Sequence, residues 1–511
     1  MFLSLRRCRH SALAAMALVL AGGFLSAAET RRLTLEDCLQ RAIEKNLGYR
    51  VARYDPRFAT LALHAAYSPY DPSLNLAVGQ SYRVNPRDSF VDPSQFTPTT
   101  TSETWKDLYS VGLGGLSPSG LTYGINANLA RKQVTTFFAP PNSLPTSLEN
   151  SGYTDGVSLD LRQPILKEFW IDGSRLNIQL AKNAVKQSEE GLRSALFNLC
   201  VAVTHNYYDW VGAREDVAIQ VAALDLTERS LVEYRHRVEI GSLAPLEEKQ
   251  AEAQVAFRRS ELISAQERHD RLANALQGQI SDDLAGVDGE FLQPVGGLEI
   301  VPESFNRQDS WHKALTLRPD IRQQKLSLES WKVTLKYDRN QLFPQLDLVG
   351  SYGLQGNQSQ FQPVLGDIAD QTNPRFTYGI ELKFPLSNRL ARDRHKRDRL
   401  QLERELLQFK TLEQRAMREV NDVILAANSA QARIATTKAT RDFSEAALTA
   451  EQRKLEFGKS TSFTVLELQQ ALVRAQMAHV QARVAFLKAV MDVAQAEGTV
   501  LDRVKVTFSV Q

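Results

Sequence analysis

The sequence predicts an α+β membrane protein in which a unit of two strands and long helices is written twice, its strands closing into a barrel only when several copies combine. Three observations carry this reading. Nothing after the N-terminal export signal approaches ~20 consecutive apolar residues, so no spanning helix is available. Several short stretches alternate apolar and polar residues, as strands with one apolar face do. Two proline-free runs rich in Ala, Leu, Gln, Glu, Lys and Arg are each about 65 residues long, well beyond the roughly 8 to 20 of an ordinary globular helix.

Residues 1–28 read as a cleavable export signal. Arg6, Arg7 and Arg9 precede an apolar stretch from about Ala12 to Leu25, and the small residues Ser26, Ala27 and Ala28 precede Glu29. No cysteine sits just after the apolar run, which argues against a lipoprotein. Cys8 leaves with the signal, so Cys38 and Cys200 remain alone; two cysteines in a chain of 511 residues are not a disulfide scaffold. A formal charge of +2 argues against nucleic acid as a partner.

The mature chain reads as a duplication. RAIEKNLGYRVA from Arg41 matches KALTLRPDIRQQ from Lys313, and the same offset pairs Pro72 with Pro344. It also pairs two candidate helix starts, Thr34 with Asp37 and Asn306 with Asp309, each a capping residue followed three positions on by a carboxylate. Further along, Pro164 pairs with Pro385 and Gly241 with Gly458. Collinear matches define a first repeat over 29–281, an equatorial linker over 282–305, a second repeat over 306–500 and a tail over 501–511. The first repeat is longer by 51 residues between Pro72 and Pro164, an inserted segment of about 85–150.

Each repeat opens with a helix, Leu35 to about Ala66 and Ser310 to about Gln341. Strands follow at LNLAVGQSY and SLDLRQ in the first half and at LDLVGSYGL and TYGIELKF in the second. In the last of these Tyr378, Ile380, Leu382 and Phe384 share one face, and Gly379, Glu381 and Lys383 the other. The inserted segment offers a further hairpin, DLYSVGLGG and LTYGINANLA around SPSG, so the count is four strands per chain and at most six. Long helices then run from about Ser174 to Val238 and from about Asn388 to Leu455, each about 100 Å at 1.5 Å per residue.

Only helices and closed β-barrels cross a bilayer, because unpaired backbone groups are too costly there. The strands are therefore the membrane candidates, with Tyr67, Tyr70, Tyr82, Trp170, Tyr352, Phe376, Tyr378 and Phe384 suited to an interfacial girdle, and equally to the core of a soluble β-sandwich. A barrel needs about eight strands, so one chain cannot close it, whereas three copies of four make twelve. With these features, LTLEDCLQRAIEKNLGY, ALTLRPDI, the strand-ending QPIL and FPLS and the two glycine turns, the chain resembles the TolC-like outer-membrane factors of efflux and type I secretion systems. The resemblance implies a homotrimer with a twelve-stranded barrel in outer-membrane lipid, continuous with a long α-helical periplasmic barrel. Its partners would be a periplasmic adaptor (membrane fusion) protein and an inner-membrane pump, and its role the passive export of substrate.

Gly241 and Gly458 interrupt helical runs, and glycine adopts the left-handed conformation that ends a helix and reverses the chain. By resemblance these turns are tips that dock the adaptor through Ile240, Gly241, Ser242 and Phe457, Gly458, Lys459. The family also places acidic or amide residues at a pore constriction beyond each glycine, here Glu247 and Gln250 and then Thr464 and Glu467. A tyrosine latch found in some relatives is absent, since Leu455 and Ser460 stand in its positions, so closure is expected to rely on apolar packing. The basic run from Asn388 to Leu400 reads as a solvated helix face with Asp393 and Asp398 interleaved, or as a headgroup contact.

Enzymatic chemistry finds little footing, and no catalytic residue, metal or cofactor is expected. The histidines lack paired ligand spacing, the GLGG at Gly112 is followed by a strand, and no GxSxG occurs. The alternative to a duct is a trimeric structural or adhesive coiled-coil stalk anchored by a barrel.

Overall fold

The computed structural model describes residues 31–85, 100–138, 144, 146–283, 292–359, 370 and 373–506. The expected export signal lies outside the described residues. The chain divides into two compact units. One comprises residues 1–52, 193–318 and 415–511, the other 53–192 and 319–414.

The second unit holds a six-stranded antiparallel sheet in the order β2 (Ser73–Asn85), β3 (Thr100–Leu116), β4 (Thr122–Phe138), β5 (Thr146–Pro164), β7 (Gln345–Gln358) and β8 (Pro374–Lys383). The expected count is four strands per chain and at most six; the inserted hairpin supplies the other two, so the upper bound is reached and the twelve-stranded sum of four per chain is not. Both arms of the inserted hairpin pair along their whole length, from Thr100 opposite Phe138 to Leu116 opposite Thr122. They turn through Ser117–Gly120, where Gly120 has φ +87° and its amide donates to the Ser117 carbonyl at 2.8 Å. Polar and charged residues interleaved along these two strands blur their alternation in the sequence, and only pairing with β2 and β5 fixes their register.

The same unit contains α3 (Tyr54–Ala66) and α7 (Pro319–Asn340). Asn340 fastens the segment leaving β5, accepting from the Glu168 amide at 2.7 Å and donating to the Leu166 carbonyl at 3.3 Å. Asp172 then receives the Arg175 amide at 2.7 Å, satisfying a free donor at the start of α4 (Gly173–Glu239).

The first unit contains a short parallel pair, β1 (Arg31–Leu33) with β6 (Leu292–Pro294), which periodicity did not reveal because each strand is only three residues long. It also contains α1 (Leu35–Lys45), α2 (Leu47–Ala52), α5 (Pro245–Ile280), α6 (Arg307–Leu317), α9 (Ser462–Glu497) and α10 (Val500–Val504). α4 and the other long helix, α8 (Arg389–Glu456), contribute residues to both units. These two helices have 67 and 68 residues and their returning partners α5 and α9 have 36 each, close to the expected bounds.

The opening helices of the two halves are not single helices as expected. In the first half Asn46 ends α1, accepting from the Tyr49 amide at 2.9 Å and donating to the Gln279 carbonyl at 3.1 Å. In the second half Arg318 is extended ahead of Pro319, as steric clash with a following proline demands. Thr34 forms the complete capping box with Asp37, whereas Asn306 caps α6 by accepting from the Gln308 amide at 3.0 Å.

Apolar burial in this unit lies along the helices. Trp210 and Phe486 are fully enclosed, and Val420, Ile424 and Ala427 of α8 pack with Ala489, Val493 and Ala496 of α9 and Ala314 of α6. Cys38 and Cys200 are buried free thiols.

Candidate functional sites: helix tips and barrel wall

Both long helices end in the same way. At the first tip the Gly241 amide donates to the Val238 carbonyl at 2.9 Å and the Ser242 amide to the Arg237 carbonyl at 2.8 Å. At the second the Gly458 amide donates to the Leu455 carbonyl at 3.0 Å and the Lys459 amide to the Lys454 carbonyl at 2.8 Å. Paired bonds of this kind define a Schellman cap, which needs a left-handed residue beyond the helix. Gly241 and Gly458 supply it with φ of +74° and +69°, and open space surrounds both.

Each turn presents an apolar residue to solvent, Ile240 at 65% and Phe457 at 78% exposure, with Leu246 and Phe463 exposed just beyond. Ser242 and Lys459 are also exposed. Two loops of matching geometry therefore offer bare apolar side chains to solvent.

The expected constriction residues divide into two kinds. Glu247, in the first turn of α5, accepts a hydrogen bond from the Ser462 hydroxyl, so the two tips lie side by side. Thr464 belongs to the start of α9, where its hydroxyl lies 2.9 Å from that of Thr461 and its amide donates to Thr461. Gln250 and Glu467 are exposed.

Leu455, in the position of the missing latch, packs against a cluster of Leu231, Tyr234, Ala251 and Val255. Ser460 donates to Glu451 at 2.6 Å. Burial, followed by the charges of Glu233 and Glu247, pushes the Tyr234 phenol up to about 12. An uncharged aromatic thus sits beneath the joined tips, a feature not legible from its place in a charged helical run.

The sheet sorts its side chains by parity. Register places Leu74, Leu76 and Val78 of β2 on one face with Tyr109, Val111 and Leu113 of β3, Ile125 and Leu129 of β4, and Val157, Leu159 and Leu161 of β5. Tyr352 and Leu354 of β7 and Phe376, Tyr378 and Ile380 of β8 continue it. Most of these side chains are exposed, with Val78 at 78% and Tyr378 at 82%. A bare apolar face across six strands is what a lipid-facing barrel wall requires. Of the expected girdle residues, Tyr82, Tyr352, Phe376 and Tyr378 share this face, Tyr82 tilted against Trp105 at 4.5 Å. Tyr67, Tyr70, Trp170 and Phe384 lie outside the strands.

The opposite face is polar and hydrogen-bonded. Asp160 accepts from Asn126, Ser158 and Ser351 at 3.1, 3.0 and 2.7 Å, and Arg162 pairs with Asp347 through Nε at 2.7 Å and reaches Glu381 at 3.4 Å. The basic run at the start of α8 is not the evenly solvated face expected. Asp398 is buried, with Arg397 at 2.7 Å, and Arg394 lies 3.0 Å from the buried Asp338 of α7. Packing against α7, invisible in the local pattern, turns part of the run inward.

Comparison with known proteins agrees with this geometry. The family described as outer membrane efflux protein matches residues 120–280 and 311–499. A pyoverdine export outer membrane protein, OpmQ of Pseudomonas aeruginosa, is 27% identical over 376 residues, covering 69% of this chain and 74% of the relative. Among solved structures, the Campylobacter jejuni CmeC outer membrane channel superposes with a TM-score of 0.64 at 14% identity, covering 91% of this chain and 86% of that one. The Vibrio cholerae outer membrane protein VceC gives 0.63 at 17% identity, covering 91% and 96%.

Proposed function

Because the chain belongs to the outer membrane efflux protein family and so resides in the outer membrane, we propose that it is the duct of a tripartite export assembly, an outer-membrane channel continued by a periplasmic tunnel. Three copies complete it. Substrate arrives from an inner-membrane pump through a periplasmic adaptor and passes without covalent chemistry. The observation that carries this reading is the six-stranded sheet with an apolar face and, among the described residues, two edge strands, β2 and β8, each paired on one side only. A sheet in lipid cannot leave its edges open, and six strands are too few to close alone. Three copies would bring eighteen strands, not the twelve that four strands per chain implied.

On this reading the chain is two repeats, 29–281 and 306–500, joined by the linker at 282–305 and freed of residues 1–28 on export. The adaptor seats on Ile240–Gly241–Ser242 and Phe457–Gly458–Lys459. The mouth is lined by Glu247, Gln250, Thr464 and Glu467, and its carboxylates draw cations.

The OpmQ likeness supports export over a solid stalk. Single-channel recording in a planar bilayer tests the channel: a purified trimer that never conducts, even with Glu247 and Glu467 replaced, overturns it. Docking is tested by Gly241→Pro and Gly458→Pro. Proline fixes φ near −65° and removes the amide that caps each helix, so export is lost while trimers still reach the membrane. Normal export by both variants would refute the assigned tips.

A further inference from the structure

The polar face of the sheet carries an imbalance that the fold does not need. Register sets Lys106 of β3 directly opposite Lys132 of β4. Like charges facing each other across a strand pair destabilise it. One residue along, Asp107 opposes Arg131 on the apolar face, an arrangement of opposite charges. The same two rungs thus balance charge on one face and stack it on the other. On β2, Ser81 opposes Lys106, and Arg83 stands two residues further along on the same face. All three cations are exposed, and none has an ion-pair partner among the described residues.

Among the described residues, parity keeps carboxylates away from these cations. Glu103, Asp107, Glu149 and Asp155 all project to the other face, which is apolar nearer the helices and carries these charges beyond. The acids on the polar face, Asp160, Asp347 and Glu381, stand near the strand ends that lead to the helices, where Arg162 and hydrogen bonds already engage Asp160 and Asp347. Since the apolar face must meet lipid, the polar face lines the lumen. The unbalanced cations therefore lie in the half of the lumen away from the helices.

We propose that Arg83, Lys106 and Lys132 form an anion-attracting collar in that half of the barrel, so that the duct passes anionic cargo in preference to cationic cargo of the same size. The proposal rests on the trimeric channel reading, in which three copies surround the lumen with nine such cations. Fixed charges of one sign along a low-dielectric wall concentrate the opposite ion and set selectivity. The collar is opposite in sign to the carboxylates proposed for the tip mouth.

Reversal potentials of the purified protein in a planar bilayer under a potassium chloride gradient test it. Lys106→Glu with Lys132→Glu shifts the chloride-to-potassium permeability ratio towards potassium by about threefold or more. Lys106→Gln with Lys132→Gln, which relieves repulsion and so does not threaten folding, shifts it the same way by less. Asp107→Asn, on the outer face at the adjacent rung, leaves the ratio unchanged. The tips are the same in all variants, so the shift reports the collar alone. Conduction with an unchanged ratio in both lysine variants, or an equal shift in Asp107→Asn, overturns the collar and leaves the channel standing. Absence of conduction in the wild type removes the channel reading and the collar together.

Discussion

A single buried carboxylate illustrates what one residue can do to such a helical assembly. Asp216 of α4 is 6% exposed and has one oxygen without a hydrogen-bond partner among the described residues; the nearest cation, the half-exposed Arg268, lies 3.8 Å away. Burial pushes its carboxyl up to about 6 against the partial offset of Arg268. The folded chain therefore holds a proton that the unfolded chain has released, and stability rises as pH falls from about 6 towards the ordinary value of 3.8. Asp216→Asn should raise the melting temperature at neutral pH, by an amount equivalent to about 2 kcal/mol, and flatten its pH dependence in that window. Thermal unfolding in detergent across the window checks both, and a variant less stable at neutral pH would contradict the argument. Nothing in REDVAIQ announces this residue, because burial depends on helices that pack from elsewhere. Gly241 and Gly458 were legible for the converse reason: a left-handed turn is a local demand that glycine meets alone.

Among the elements, long helices and period-two strands were readable, since each repeats one simple rule over many residues. Helix breaks were not. The turn at Asn46 depends on the distant Gln279 carbonyl, whereas the hairpin of β3 and β4 was readable around its SPSG turn. The tips combine both cases. Their turns follow from sequence, but the contact between them follows from packing, with Ser462 on Glu247 and Leu455 against Leu231, Tyr234, Ala251 and Val255. If this apolar seam holds the mouth closed in place of a tyrosine latch, a charge within it should open the mouth. Leu455→Asp inserts an unpaired carboxylate there and is expected to raise mean conductance and lower the melting temperature by the equivalent of about 2–4 kcal/mol. Loss of stability with conductance unchanged would assign the cluster to structure only.

For the whole molecule the strand count decides the most. Barrel diameter grows roughly in proportion to strand number, so eighteen strands enclose a lumen about half as wide again as twelve. The two extra strands per chain come from the inserted segment, and their outer faces carry the same apolar parity as their neighbours, so they extend the wall rather than plug it. On the proposed trimeric reading, closure requires β2 of one copy to pair with β8 of the next, since among the described residues each edge presents free backbone groups that lipid cannot satisfy. A cysteine scan tests this pairing directly: Leu76 or Val78 of β2 combined with Tyr378 or Ile380 of β8, oxidised in native membranes. Cys38 and Cys200 are buried and do not compete. At least one combination should yield a covalent trimer on a non-reducing gel, because each copy is linked to both neighbours. Efficient cross-linking that leaves only monomers would mean that the sheet closes on itself, and the shared eighteen-stranded wall would have to be abandoned.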